Sequence, residues 1–220
     1  MDRQLANIPL FSGLEERELS VIYDGAMVKG FPRNTIVIHE GDDSDSLFLI
    51  LEGRVKVFLT SEKGREVILN TQSAGEYFGE LALLDDLPRS ASVITVENSQ
   101  FCVISKTAFQ RVLANHPVIA LKVIKNLTQR VRALTDNVKN LALLDVYGRV
   151  ARTLLSIAVE CDGEEGKMVV EPKPTHQDIG KMVGASREMV TRIMKDLVVG
   201  GYVHVEHERI VIHQKLPRSW

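Results

Sequence analysis

Glycines at positions 30, 41, 53, 64 and 75 cut the first half of the chain into short β-rich runs: TIVIH, SLFLILEG, RVKVFLT and EVILNT. Two more follow, SASVITV and QFCVIS. Short strands with turn signals every 8–12 residues or so favour an antiparallel sandwich or barrel. A short opening helix is expected where Ser12 caps the run GLEERELSVIY. Residues 1–116 therefore read as one β-roll or barrel.

At Pro117 the pattern changes to helix. Ile124, Leu127, Val131, Leu134, Val138 and Leu141 are spaced three, four, three, four and three residues apart, the a/d seam of a two-stranded coiled coil. A helix packed only on its own barrel normally shows a wider apolar stripe, so the spacing favours a dimerisation helix over 117–144. Asp145 breaks the seam and suits the N-cap of a second amphipathic helix carrying Val146, Val150, Leu154 and Ile157. A hinge near Leu144 and Asp145 opens a small α+β unit over 145–220, in which a polar loop, Cys161–Lys167, precedes two short helices and a terminal hairpin or wing, GYVHVEH and RIVIH.

Composition narrows the function. The chain has 220 residues, 45% hydrophobic and 25% charged, an ordinary globular balance. No apolar run of about 18 residues is present to cross a bilayer, and the amino terminus lacks a secretory h-region, so a cytoplasmic protein with no membrane partner is expected. Cys102 and Cys161 are too few for a disulfide scaffold or a thiolate metal site. The net charge of −2 carries no overall nucleic-acid footprint. From Pro174 onward, however, Lys181, Arg187, Arg192, Lys195, Arg209, Lys215 and Arg218 outnumber Asp178, Glu188, Asp196, Glu206 and Glu208.

The most specific stretch of the first unit is FGELALLDDLPRSASV, Phe78–Val93. Its residue types suit a phosphate beside a ribose. Arg89 supplies a fixed charge and a fork of donors, Ser90 and backbone N–H groups near Glu80–Leu84 can donate to phosphate oxygens, and Glu80 can accept from a sugar hydroxyl. An isolated Glu and Arg would more simply make a surface ion pair of little consequence.

The second motif is THQDIGKMVGASREMVTRIMKDL, Thr175–Leu197. Thr175 can cap a first helix whose stripe is Ile179, Met182 and Val183, Gly184 suits a left-handed turn, and Ser186 can cap a second helix whose Val190, Ile193, Met194 and Leu197 face inward. At about 100° per residue the outer face then holds Arg187, Glu188, Thr191, Arg192 and Lys195. That is base-reading chemistry: Arg can donate twice to guanine O6 and N7, and Glu can accept from cytosine N4. A charged outer face that is merely solvated is the ordinary alternative.

Together, these stretches resemble the cyclic-AMP receptor protein branch of the CRP/FNR transcription regulators. FGELALL followed by four residues and RSAS is similar to the family's phosphate-binding cassette, and Arg187, Glu188 and Arg192 match its recognition helix. NLALLDVYGRVARTLL matches the hinge, so the similarity runs nearly the whole chain in order. The resemblance implies an α+β chain with three parts: a cyclic-nucleotide-binding β-roll or jelly-roll barrel (1–116), a dimerisation helix and hinge (117–144), and a winged helix-turn-helix (145–220). It implies a ligand site of Gly79, Glu80, Leu81, Arg89, Ser90, Leu134 and Thr135, with Gly79 and Glu80 at the ribose and Arg89 and Ser90 at the cyclic phosphate. Ser186, Arg187, Glu188, Thr191, Arg192 and Lys195 would meet double-stranded DNA at a TGTGA-like palindrome read by a homodimer, with RNA polymerase as a further partner. Cyclic AMP is the implied effector. The chain departs from the family at Leu134, where a Thr–Ser pair is expected to meet adenine and only Thr135 keeps a hydroxyl, so cyclic GMP, cyclic di-GMP or ligand-free DNA binding stay open.

No phosphate loop, HExxH or GxSxG motif points to an enzyme. His204 and His207 in HVEH fall on opposite faces of a strand, which argues against a metal site with His213. A cyclic-nucleotide-sensing regulatory subunit without DNA binding is the remaining alternative, and the helix-turn-helix pattern weighs against it.

Overall fold

The computed structural model describes residues 8–13, 15, 19, 22, 26–43, 45–160, 168–213 and 216. Most of the expected opening helix, Cys161, the loop Asp162–Lys167, Lys215 and Arg218 lie outside the described residues. The chain divides into two compact units, Met1–Val131 and Arg132–Trp220.

In the first unit a 3-10 turn, Pro9–Phe11, precedes eight strands: β1 (Ala26–Phe31), β2 (Ile36–Ile38), β3 (Ser46–Glu52), β4 (Arg54–Thr60), β5 (Glu66–Ser73), β6 (Tyr77–Phe78), β7 (Ser92–Thr95) and β8 (Ser99–Ser105). They form two antiparallel four-stranded sheets of order β1-β8-β3-β6 and β2-β7-β4-β5. A single helical turn, α1 (Leu81–Leu84), lies between β6 and β7, and α2 (Lys106–Asn115) follows β8. Ser105 caps α2 by accepting from the Ala108 N–H.

Side-chain alternation along the first sheet separates two cores. Ile50, Phe78 and Phe101 turn inward to meet Ile38, Val55 and Val93 of the second sheet. Phe48, Phe78 and Phe101 stack and edge against one another there, with ring centroids 5.0 to 6.4 Å apart. Leu47, Leu49, Tyr77, Cys102 and Ile104 turn outward and are covered by Phe109 and Val112 of α2 and by Ile119 and Val123 of the long helix α3 (Pro117–Leu143).

α3 has two apolar faces with different fates. Leu127 packs with Ile119 and Val123 on the outer core, whereas Ile124, Val131, Leu134, Val138 and Leu141 are exposed, Val131 and Val138 by 62% and 65%. Both readings of the spacing are thus present in one helix: a stripe on its own barrel, and a second stripe that the single chain leaves uncovered.

The second unit holds α4 (Val146–Ile157), β9 (Val159–Glu160), β10 (Met168–Val170), α5 (His176–Val183), α6 (Arg187–Val199), β11 (Val203–Val205) and β12 (Ile210–Ile212). The strands form a sheet of order β11-β12-β10-β9, larger than the terminal hairpin the sequence suggests because Val159–Glu160 and Met168–Val170 join its edge. Tyr147, Val150 and Leu154 of α4 pack with Ile179 and Val183 of α5 and Val190, Ile193 and Leu197 of α6 in one core. Asp145 caps α4 through the Gly148 N–H at 2.7 Å.

Candidate functional site

In the first unit the cassette is built around a tight turn. Gly79 takes φ +86°, and a Cβ there would stand 2.4 Å from Arg89 Nη1, so only glycine fits. Arg89 is 7% exposed and donates to the Gly79 carbonyl and the Ser46 carbonyl, both at 2.7 Å. Its backbone is tied to the preceding loop by Arg89 N–H to Asp42 O and Gly41 N–H to Arg89 O. Burial lowers the Arg89 pKa, while Asp45, Glu80 and Asp42 oppose that shift. The fork is therefore held at a fixed place with donors to spare, and its Cζ lies 5.8 Å from the Phe48 ring centroid.

Glu80 is 1% exposed. Its partner is Arg130 of α3, whose Nη1 donates to the carboxylate at 2.5 Å while Nη2 donates to the Tyr77 carbonyl at 2.8 Å. Burial pushes the Glu80 carboxyl above its ordinary range; Arg130, the residue's own backbone N–H and Arg89 pull it back down. The Arg130 guanidinium also lies 5.4 Å from the Tyr77 ring centroid, and burial, with Glu80 adding to it, pushes the Tyr77 hydroxyl up to about 12. Gln72 donates to the same Tyr77 carbonyl from Nε2 at 3.0 Å.

The structure thus brings Gly79, Glu80 and Arg89 together, with Leu81 and Ser90 exposed beside them. Leu134 and Thr135 belong to the second unit and are exposed on α3. Sequence reading missed Arg130. Its signal is a charged residue on the core-facing side of α3, in step with Ile119 and Val123 at helical spacing. A buried arginine fork, a turn open only to glycine and a carboxylate that can accept a hydroxyl fit a cyclic phosphate joined to a ribose.

In the second unit α5 and α6 form the helix-turn-helix. Thr175 caps α5 by accepting from the Asp178 N–H at 3.0 Å. Gly184 ends it at φ +68°, a left-handed conformation suited to glycine, and Ser186 caps α6 by accepting from the Met189 N–H at 3.2 Å. Arg149 of α4 braces the turn by donating to the carbonyls of Val183 and Leu144, both at 2.9 Å. Ser186, Arg187, Glu188, Thr191, Arg192 and Lys195 are all exposed. Thr191 donates to the Arg187 carbonyl at 2.9 Å and lies 2.9 Å from His176 Nδ1. The Glu188 carboxyl is held below the usual range by its own backbone N–H and by Ser186.

Among the described residues no cluster of three or more His, Cys, Asp or Glu side chains could hold a metal ion, and no helix is long and apolar enough to cross a membrane.

Comparison with known proteins matches residues 28–116 to the cyclic nucleotide-binding domain and residues 148–215 to the Crp-like helix-turn-helix domain. The chain is 31% identical over 213 residues to a CRP-like cAMP-activated global transcriptional regulator of Mycobacterium tuberculosis, covering 96% of this chain and 95% of that one. It is 34% identical over 184 residues to the cAMP-activated global transcriptional regulator CRP of Haemophilus influenzae, covering 83% and 82%. Its fold is similar to that of a cyclic-di-GMP-responsive global regulator of Xanthomonas campestris, with a TM-score of 0.78, 24% identity, and coverage of 91% of this chain and 100% of that one. These relatives are transcription regulators, not enzymes. The chain belongs to the CRP/FNR family and is a cyclic-nucleotide-controlled, DNA-binding transcription regulator.

Proposed function

We propose that this regulator takes cyclic AMP as its effector and reads a TGTGA-like palindrome as a homodimer in the cytoplasm, with RNA polymerase as its partner at promoters. The observation that carries the reading is the buried Arg89 fork held beside Gly79 and Glu80. Its spare donors and fixed charge suit a cyclic phosphate, and the Glu80 carboxylate retains acceptor capacity for the ribose 2′-hydroxyl after taking one bond from Arg130. Gly79, Leu81 and Ser90 shape the phosphate turn, and, as the family resemblance implies, Leu134 and Thr135 would meet the base across the dimer.

The division of labour is 1–116 for sensing, 117–144 for dimerisation and hinge, and 145–220 for DNA. The exposed Ile124, Val131, Leu134, Val138 and Leu141 stripe supports the dimer, since five large apolar side chains along one helix would otherwise stand in water. Two recognition helices related by a two-fold axis would read half-sites about 34 Å apart. Ser186 caps the reading helix, Arg187, Glu188 and Arg192 reach bases, and Thr191 and Lys195 reach phosphate.

Leu134 favours a second reading of the effector, cyclic GMP or cyclic di-GMP, because it offers adenine no hydroxyl. The test is fluorescence anisotropy on a palindromic TGTGA-type duplex with each of the three nucleotides. Arg187→Ala should cost about 1–3 kcal/mol and relax one base position, whereas Lys195→Ala should weaken all sequences alike. A uniform loss from both substitutions rules out the assignment of base reading to Arg187. Arg89→Ala should abolish the nucleotide response, and an unchanged response rules out the pocket.

A further inference from the structure

The interior of the β-roll carries polar groups that the phosphate and ribose contacts leave unused. In the β4–β5 register Gln72 stands opposite Val55, and Asn70 opposite Val57. Facing residues of an antiparallel pair share one side of the sheet, and Val55 belongs to the inner core on which Val57 packs. Gln72 and Asn70 therefore point into the roll. Gln72 is 1% exposed, yet its Oε1 is buried without a hydrogen-bond partner, as is Asn70 Oδ1.

The orientation of the Gln72 amide is fixed. Its Nε2 donates to the Tyr77 carbonyl, the carbonyl that also accepts from Arg130, which in turn holds Glu80. A carbonyl accepts only from a donor, so the amide cannot turn over and Oε1 must be the presented atom. Gln72 is thus one shared carbonyl away from the Arg130–Glu80 pair, and its acceptor lies buried on the inner wall of the roll. A buried acceptor left unpaired costs the desolvation of that group, and a ligand that brings a donor recovers it.

Resting on the cyclic-nucleotide reading above, we infer that Gln72, with Asn70 beside it, recognises the exocyclic amino group of the effector's nucleobase. A cyclic nucleotide offers few donors. The phosphate oxygens only accept and would be repelled by Oε1, the ribose 2′-hydroxyl is directed to Glu80, and the base N–H groups remain. Two amide oxygens at i and i+2 on one strand face supply acceptors for such an amine, and a base without it leaves both unpaired.

The experiment is calorimetric titration of the full-length protein with cyclic AMP and with the cyclic monophosphate of purine riboside, which differs only in lacking the amino group. Cyclic GMP and cyclic inosine monophosphate form the matching guanine pair. The parent should prefer the amino-bearing member of its preferred pair by about tenfold, the scale of one buried hydrogen bond. Gln72→Met, close in shape but without the acceptor, should lower affinity for that member about tenfold and leave the other unchanged, closing the gap. Gln72→Leu, measured in parallel, should close the same gap and guards against a variant that packs badly. Equal losses for both members would make Gln72 a positioning group for Arg130 and overturn the inference, as would no change for either. If the parent binds all four nucleotides no better than its Arg89→Ala variant does, the site reading itself fails and the inference falls with it.

Discussion

Arg130 donates to Glu80 at 2.5 Å from a position 50 residues further along the chain, so the long helix and the Gly79–Glu80 turn share one ion pair. The carboxylate is 2% exposed and the guanidinium 24%. Any ligand group that approaches Glu80 therefore meets a residue already coupled to α3, and a shift of either partner is felt at the other.

Breaking the pair from one side should be costly. Arg130→Met leaves Glu80 buried and uncompensated, and the unfolding free energy should fall by about 3–5 kcal/mol. Adding Glu80→Gln should restore part of that loss, because a neutral amide is cheaper to bury than a lone charge. Urea denaturation of parent, single and double variants measures the cycle. The variant's pH dependence has a definite sign: burial already holds the folded pKa of Glu80 above the unfolded value of about 4.3, and losing Arg130, the largest opposing influence, raises it further. The folded state then keeps a proton that the unfolded chain has released, so stability present at low pH is lost as pH rises through the folded value. An Arg130→Met variant whose stability relative to the parent does not fall as pH rises from 4 to 7 would contradict this.

His176 gives the opposite slope. Thr191 spends its hydrogen on the Arg187 carbonyl, so His176 Nδ1 is the donor in the His176–Thr191 bond. Burial, Arg187 and Lys173 lower its pKa, and the wing charges Glu206 and Arg209 are paired with each other. A lowered histidine contributes stability that is complete above its unfolded pKa, about 6.5, and is lost as pH falls toward the folded value. His176→Asn should flatten the loss of stability between pH 7.5 and 5.5 in urea titrations, and an unchanged slope would assign the dependence elsewhere.

Seam burial between two copies is testable directly. Replacing Val131 and Val138 with Asp sets four carboxylates into the proposed dimer contact, and light scattering at micromolar concentration should then give the mass of one chain against two for the parent. A parent that scatters as one chain would remove the seam.

The β-roll, the long helix and the helix-turn-helix are legible in the sequence because each depends on local signals: glycine-spaced strands, heptad spacing, and the caps at Asp145, Thr175 and Ser186. Arg89 and Glu80 can be found from their motif. The motif leaves open whether the two pair, and here Glu80 pairs instead with Arg130 across 50 residues of sequence. Gln72 is invisible for a similar reason: in a strand of alternating burial it reads as an ordinary polar residue, and only the β4–β5 register turns it inward. Long-range pairing creates both facts, and no periodicity encodes it. The strands Val159–Glu160 and Met168–Val170 are too short to stand out from the polar segment around them.

The family resemblance puts a threonine where this chain has Leu134, a seam position exposed by 45% in the single chain. A polar residue in a coiled-coil seam lowers its stability, and in the family a ligand's base can compensate by bonding it. Leucine needs no such partner, so a seam carrying Leu134 should close without ligand if the DNA-competent dimer is the one with the tighter seam. A ligand moves populations only by its differential affinity for the two states, and a swing from 1:99 to 99:1 requires about 10⁴-fold. A protein already half competent can gain only about twofold from any ligand, however tightly bound. The ligand-free protein should therefore bind a palindromic TGTGA-type site specifically, with a small response to cyclic AMP. Leu134→Thr should lower the ligand-free affinity and enlarge the response, measured by fluorescence anisotropy with nucleotide absent and saturating. Strict ligand dependence in the parent, unchanged in the variant, would take the switch away from Leu134. Release from DNA on adding cyclic di-GMP would instead mark an inhibitory effector whose preferred state is the open seam.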